Sequence, residues 1–196
     1  VILKPSEWTP FVTDIIAHAI HKANLPLGTF QVVHGGAQVG SVLISDHRIR
    51  AVSFTGGLIG GRAIGVTCAQ QMKPAQLELG GNNPLVVLKG ADLDHCARNI
   101  VTAMTEMNGQ WCRALGRLLI QESIAAELLQ RISRLLSILK IGHSYNEDSE
   151  MGPLIHRHHK AHIEQSVRAL IQKGGTLLAP SQLPDLDGCF YRPSLI

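Results

Sequence analysis

Ala51-Val52-Ser53-Phe54-Thr55-Gly56-Gly57-Leu58-Ile59-Gly60-Gly61 is the stretch on which the reading of the fold turns. Its first four residues form a short run with an aromatic and a β-branched side chain, as a strand requires. Four glycines within the next seven residues close that run, and an apolar-faced helical pattern continues to about Gln70. Strand, glycine-rich turn and helix in that order form half of a β-α-β unit.

The residues on the amino-terminal side repeat the pattern. Val1–Lys4 reads as a short buried strand that Pro5 brings to a stop. Ser6 or Thr9 is the candidate cap for a helix carrying Phe11, Ile15, Ile16, Ala19, Ile20 and Ala23. Phe30–Val33 is the next strand, closed by His34-Gly35-Gly36, and a short helix is expected over Gln38–Ser45. Apolar strands alternating with amphipathic helices imply a parallel sheet with right-handed crossovers. Ligands bind such sheets at the carboxyl ends of the strands, here the loops Lys4–Glu7, His34–Gly36 and Thr55–Gly61. Glycines after a strand let the backbone approach a phosphate, and the following helix N-terminus attracts the anion. Lys4 as donor and Glu7 as acceptor suit sugar hydroxyls. Gly56, Gly57, Gly60 and Gly61 do not satisfy the G-x-G-x-x-G fingerprint, so plain turn chemistry explains them as readily as a nucleotide does.

Past Pro74 the pattern changes, with a boundary expected near Leu79–Gly81. Strands are expected at Ala75–Leu79 and Leu85–Leu88, around Gly80-Gly81-Asn82-Asn83-Pro84. Asp92 or Asp94 is suited to cap a helix running to about Met107. After the Asn108–Cys112 stretch come a strand through Ile120 and a helix over Ile124–Leu139. A polar loop at Gly142–Gly152 leads into a helix from about Leu154 to Lys173. Strands are expected at Thr176–Ala179 and from Phe190-Tyr191, with Pro180–Gly188 as a surface loop.

Composition narrows the function. The 45% apolar and 17% charged content belongs to a folded globular chain. A net charge of +3 with scattered Lys and Arg offers no basic stripe, and 4% aromatic residues supply no stacking platform, so nucleic acid is not an expected partner. No apolar run has the length of a membrane span. Cys68, Cys96, Cys112 and Cys189 are irregularly spaced with no C-x-x-C pair, which points to a reducing cytoplasm. The ends read as falling inside core strands, so the chain is expected to be an interior piece of a longer protein.

Two residues stand out chemically. Asn108 and Gly109 are helix stoppers, so Cys112 is expected on an irregular turn that is both rigid and reachable. A nucleophilic cysteine needs help to ionise; the helix C-terminus before it opposes ionisation and Arg113 is the compensating charge. The plainer reading of Cys112 is a buried structural thiol. Glu78, in Leu77-Glu78-Leu79-Gly80-Gly81, is a candidate base, or a carboxylate exposed at a strand end. Trp111 beside Cys112 suits either a channel wall or the core. His158 and His162 lie i,i+4 in a His-rich tract but have no adjacent carboxylate or cysteine, so a solvated helix face is expected there and no metal.

Lys4-Pro5-Ser6-Glu7, Phe54-Thr55-Gly56-Gly57, Leu77-Glu78-Leu79-Gly80-Gly81 and Gly109-Gln110-Trp111-Cys112 occur in an order and spacing that resemble the NAD(P)-dependent aldehyde dehydrogenase superfamily. The resemblance covers essentially the whole chain and the middle of the longer family members. It implies an α/β fold: a parallel Rossmann-like cofactor-binding sheet (1–79), followed by part of an α/β catalytic domain (80–196). It implies that Cys112 is the nucleophile and Glu78 the base that activates water. By the same resemblance Lys4, Ser6 and Glu7 hold the adenine ribose and Gly36 lines the adenine side. Thr55, Gly56, Gly57, Gly60 and Gly61 would form the turn by the pyrophosphate, and the Leu79 backbone would lie near the nicotinamide. The implied cofactor is NAD, with NADP possible; Glu7 disfavours a 2′-phosphate. A homo-oligomer, dimer or tetramer, and a small aldehyde substrate are also implied. Gly57 stands where the family often has Ser, and the family's oxyanion-hole Asn would lie upstream of Val1. The isolated chain is therefore expected to be inactive. The competing readings are a cysteine-dependent acyl transferase or hydrolase that uses no nucleotide, and an inactive fragment that keeps the fold.

Overall fold

The computed structural model describes residues 1–196 and divides them into two compact units, Val1–Gly80 and Gly81–Ile196. In the first unit the order is β1 (Ile2–Leu3), α1 (Pro10–Lys22), β2 (Gln31–Val32), α2 (Ala37–Ser45), β3 (Val52–Gly56), α3 (Leu58–Gln70) and β4 (Ala75–Leu79). β1 pairs in parallel with β2, and β3 in parallel with β4, as expected of helix-linked strands. The β3–β4 pair has two unlike faces, because side chains alternate along a strand. Phe54, Leu77 and Leu79 point to the α3 side, where Gly60, Gly61 and Gly65 admit them. Ser53, Thr55, Gln76 and Glu78 form the other face and are exposed.

The second unit runs β5 (Asn83–Val87), α4 (Leu93–Thr105), a 3-10 turn (Glu106–Gly109), β6 (Leu115–Ile120), α5 (Glu122–Ile138) and α6 (Arg157–Gln172). β5 and β6 are parallel, and a register shift falls between Asn83 and Pro84, where proline has no ladder donor to give. α4 and α5 pack their apolar stripes together: Ala97, Ile100 and Val101 against Leu128, Ile132 and Leu136, over Val87 of β5. Leu128, Ile132 and Leu136 recur every four residues, which places them on one helix face. Asp92 caps α4 by accepting from the Asp94 and His95 amides, both at 3.0 Å. Arg131 of α5 pairs with Glu127 at 2.6 Å and also with Asp94 of α4.

Four expectations need correcting. α4 stops at Thr105, short of Met107, because Met107, Asn108 and Gly109 all adopt left-handed backbone (φ 52, 58 and 70°). β1 is confined to Ile2–Leu3, with Ile2 exposed and Leu3 half-buried, so the opening strand is shorter than Val1–Lys4 and is not buried. The two strands expected after Lys173 reduce to one antiparallel bridge, Leu178 with Leu195. Pro180–Gly188 is not wholly surface: Ser181 is buried, and its hydroxyl donates to the Leu136 carbonyl at 2.7 Å, closing the C-terminus of α5.

Candidate active site

The segment around Cys112 is held from two sides. Trp111–Ala114 is a tight turn, with the Ala114 amide donating to the Trp111 carbonyl at 2.9 Å. Cys112 is exposed on it, so the reading of a buried structural thiol is set aside. The Asn83 side-chain amide donates to the Cys112 carbonyl at 2.8 Å and the Ala114 carbonyl at 3.0 Å. From the other side, Asn108 accepts from the Gly152 amide at 2.7 Å and donates to the Pro153 carbonyl at 3.3 Å. Gln110 accepts from the Ile155 amide at 3.0 Å. All three side-chain amides bond to main chain, so they fix the path of the segment. Arg113 stacks its guanidinium over the Trp111 ring at 4.2 Å. Trp111 is thereby a half-buried partner of Arg113 and not a member of the apolar cluster. A thiol displayed on a fixed turn is placed to meet an electrophile.

Sequence reasoning gave Asn83 no role, read Asn108 only as a helix stopper and quoted Gln110 only within the cysteine motif. The available signal was a set of short polar amides beside Gly and Pro in non-helical stretches, where such side chains often bond to backbone.

In the first unit the expected residues gather at two places. Lys4 is half-buried, and its ammonium donates to the Pro5 and Gly35 carbonyls at 2.6 and 2.5 Å. An ammonium has three donors, so one remains for an incoming oxygen. Gly36 lies beside Glu7: a Cβ on Gly36 would stand 3.8 Å from the Glu7 carboxylate. Lys4, Glu7 and the Gly35-Gly36 turn thus share the carboxyl end of the β1–β2 pair. Ser6 is exposed, and its hydroxyl accepts from the Trp8 amide at 3.3 Å, which ties it to the turn into α1.

The second place is the β3–α3 turn, where the glycines divide by role. A Cβ on Gly56 would come within 2.4 Å of the Phe54 ring. One on Gly60 would stand 3.1 Å from that ring, and one on Gly61 2.4 Å from the Leu79 side chain. These three admit neighbouring side chains, a packing reason independent of any ligand. Gly57 differs. It is the N-cap of α3, has open space around it, and leaves the helix without a side-chain cap. The first-turn amides of α3 are therefore open to an anion, and the missing Cβ lets it come close. A donor and an acceptor for sugar hydroxyls at one place, and an uncapped helix behind an open glycine at another, fit a dinucleotide. Thr55 lies across the ladder from Glu78, and Gly56 from Leu79. Glu78 is exposed at the carboxyl end of β4, with Gln76 Nε2 3.5 Å from its carboxylate.

The His-rich tract is a helix start. His156 is the N-cap of α6, and its Nδ1 accepts from the His159 amide at 3.0 Å. Burial, then the neighbouring His156 and His162, hold the His159 imidazole below its usual range. No group of three His, Cys, Asp or Glu side chains converges on a common point.

Comparison with known proteins supplies the lineage. Residues 1–196 match the family model described as the aldehyde dehydrogenase family. Glutarate-semialdehyde dehydrogenase from Pseudomonas putida is 31% identical over 100% of this chain and 41% of its own length. Betaine aldehyde dehydrogenase from Bacillus subtilis is 33% identical over the same shares. Among solved structures, an NAD-dependent aldehyde dehydrogenase from Sinorhizobium meliloti superposes with a TM-score of 0.94 at 34% identity, over 99% of this chain and 39% of that one. Betaine aldehyde dehydrogenase from Staphylococcus aureus in complex with NAD+ also gives 0.94, at 31% identity, over 98% and 39%. The chain spans about two fifths of the length of the curated relatives it matches. With the match running from the first residue to the last, and with the same α/β framework in the solved relatives, this chain belongs to the aldehyde dehydrogenase family.

Proposed function

We propose that the protein containing this chain oxidises an aldehyde to a carboxylic acid with NAD(P)+, through a covalent adduct on Cys112. The observation that most supports this reading is Cys112 itself, exposed on a turn fixed from both sides, in a chain matched throughout by the family. The first unit, 1–79 in the sequence division, is assigned to the cofactor, and 80–196 to catalysis. Lys4 and Glu7 bind ribose hydroxyls, Ser6 stands beside them, and Gly36 keeps the adenine side clear. Gly57 and the α3 amides take the pyrophosphate, in the turn built by Thr55, Gly56, Gly60 and Gly61. The Leu79 backbone lies toward the nicotinamide. The Glu7 carboxylate repels a 2′-phosphate and so favours NAD.

The chemistry follows from the residues. Cys112, as thiolate, adds its sulfur to the aldehyde carbon and places the negative charge on oxygen. A bound nicotinamide would supply the acceptor for the hydride of that adduct, and Cys112 would then hold the acyl group as a thioester. Glu78 takes a proton from water as the water adds to the thioester carbon. Collapse expels the Cys112 thiolate and releases the carboxylic acid. An assembly of identical subunits and a cytoplasmic location complete the proposal; the four free cysteines support the reducing compartment. No helix is long and apolar enough to cross a membrane.

The test is NADH formation by the intact protein over a panel of aliphatic and aromatic aldehydes. Turnover is expected to vanish in Cys112→Ala. Glu78→Gln is expected to keep a burst of NADH and lose steady turnover. Folded protein that forms no NADH with any aldehyde would refute the proposal. Acylation of Cys112 by activated esters without nucleotide would then favour a hydrolase.

A further inference from the structure

We infer that Asn83 is the positioning residue of the nucleophile: its side-chain amide sets the main-chain path of the Cys112 turn. The inference rests on the reading of Cys112 as nucleophile. A primary amide has two N–H donors. Asn83 uses both, one on the Cys112 carbonyl and one on the Ala114 carbonyl, at 2.8 and 3.0 Å. Both partners are acceptors only, so the nitrogen end of the amide must face them, and the orientation of the group is settled by chemistry. One side chain therefore spans the Cys112-Arg113-Ala114 segment that presents the thiol.

The base of the tether is rigid. Asn83 is half-buried at the start of β5 and pairs with Leu115 of β6. The preceding Asn82 is pressed onto the same strand. Arg117 donates to its carbonyl at 3.2 Å, and Gly116 lies so close that a Cβ there would stand 2.0 Å from the Asn82 side-chain oxygen. Asn108 and Gln110 fix the segment before the thiol to residues 152–155. Asn83 is thus the tether on the far side of Cys112. Without it the turn loses its side-chain anchor to β5, and its internal bond from Ala114 to Trp111 opens more often. Holding the attacking atom in one place is what converts binding into productive encounter.

The experiment compares Asn83→Ala with Asn83→Asp in the intact protein. Asp has the shape of Asn, but it presents oxygen to two carbonyl oxygens. A tether made of donors predicts that the Ala114 amide exchanges with solvent about tenfold faster in Asn83→Ala and faster still in Asn83→Asp. The Ile100 and Ile132 amides should keep their native rates. Turnover should fall in the same order, with KM for the aldehyde held within about twofold. The reverse order, with Asp behaving like Asn, would show a packing role and overturn the inference. Native exchange at Ala114 in both variants would overturn it as well, as would faster exchange with undiminished kcat. Turnover that survived Cys112→Ala would refute the nucleophile reading and with it this role, and would be distinguished by its independence of the exchange measurement.

Discussion

The two units bury their apolar residues very differently. Prolines aside, twelve apolar side chains are buried, and only one of them, Cys68, lies in Val1–Gly80. The second unit has the Ile100, Leu128, Ile132 and Leu136 cluster, all with no measurable exposure. α1 of the first unit leaves Phe11, Val12 and Ile15 largely exposed. The contrast follows from the elements. α4 and α5 each present an apolar stripe, and the two stripes meet over β5. The first unit instead relies on glycines that bring helix α3 close to its strand pair. Burial of apolar area is the main favourable term in folding, so local stability should follow the same division.

The comparison can be broken most directly at Ile132. Ile132→Ala should destabilise the second unit by about 2–5 kcal/mol, by lost burial and a residual cavity. Each unit of the 196-residue chain has one tryptophan, Trp8 in the first and Trp111 in the second, so denaturant unfolding of that chain can be followed separately in Trp111→Phe and Trp8→Phe backgrounds. Before mutation the Trp8 signal should be lost at lower denaturant than the Trp111 signal. Ile132→Ala should narrow or reverse that gap. Coincident transitions in the unmutated protein would show that the units unfold together and erase the contrast.

A smaller effect is expected at Gly61. Gly61→Ala sets a methyl against the Leu79 side chain and should cost about 1–3 kcal/mol, seen in the Trp8 transition alone. Gly57→Ala has open space and an allowed φ of −77°, so it should change that midpoint little. In the second unit, Gly109→Ala must adopt φ 70° and place a methyl 2.9 Å from the Met104 carbonyl. About 1–2 kcal/mol of destabilisation is expected from the backbone alone, read in the Trp111 transition.

The smallest effect sharpens the comparison through pH. The His95 amide, then the Asp94 amide and the nearby Arg98 and His95 charges, hold the Asp92 carboxyl below its usual range, against an opposing contribution from desolvation. A carboxyl with a depressed folded pKa stabilises the fold above its unfolded pKa of about 3.9, and that contribution is lost as pH falls through the folded value. Asp92→Asn keeps an acceptor for the cap but does not titrate. Its melting temperature should therefore lie within a degree or two of the parent's near neutrality, and should vary less below about pH 4. A parallel loss on acidification in the two proteins would assign the acid sensitivity elsewhere.

Regular elements were legible because their signals are local. The i,i+4 stripe of α5, the alternation in Ala75–Leu79 and the acidic cap at Asp92 each need only neighbouring residues to be read. Elements that depend on distant partners were not. Leu178 has one bridging partner, Leu195, and no pattern near Thr176 reveals that a full strand will not form. Ser181 is buried only because the open end of α5 lies beside it. Met107 takes a left-handed conformation that its side chain does not advertise. The site divides in the same way. Cys112 and the glycine turns could be picked out as residue types in a setting, whereas Asn83 gains its meaning from carbonyls 29 and 31 residues away. Likewise, which glycine faces open space and which faces Phe54 or Leu79 is a property of packing.

Met107, Asn108 and Gly109 together have a stereochemical consequence. Three successive residues in left-handed backbone amount to most of a turn of mirror-image helix inside an L-protein. Only the glycine is achiral. In a protein assembled by chemical ligation, D-methionine at position 107 would occupy its preferred region with the chain path unchanged. Inverting one α-carbon just ahead of the nucleophile should therefore stabilise this segment, whereas the same inversion in α4 would disrupt the helix.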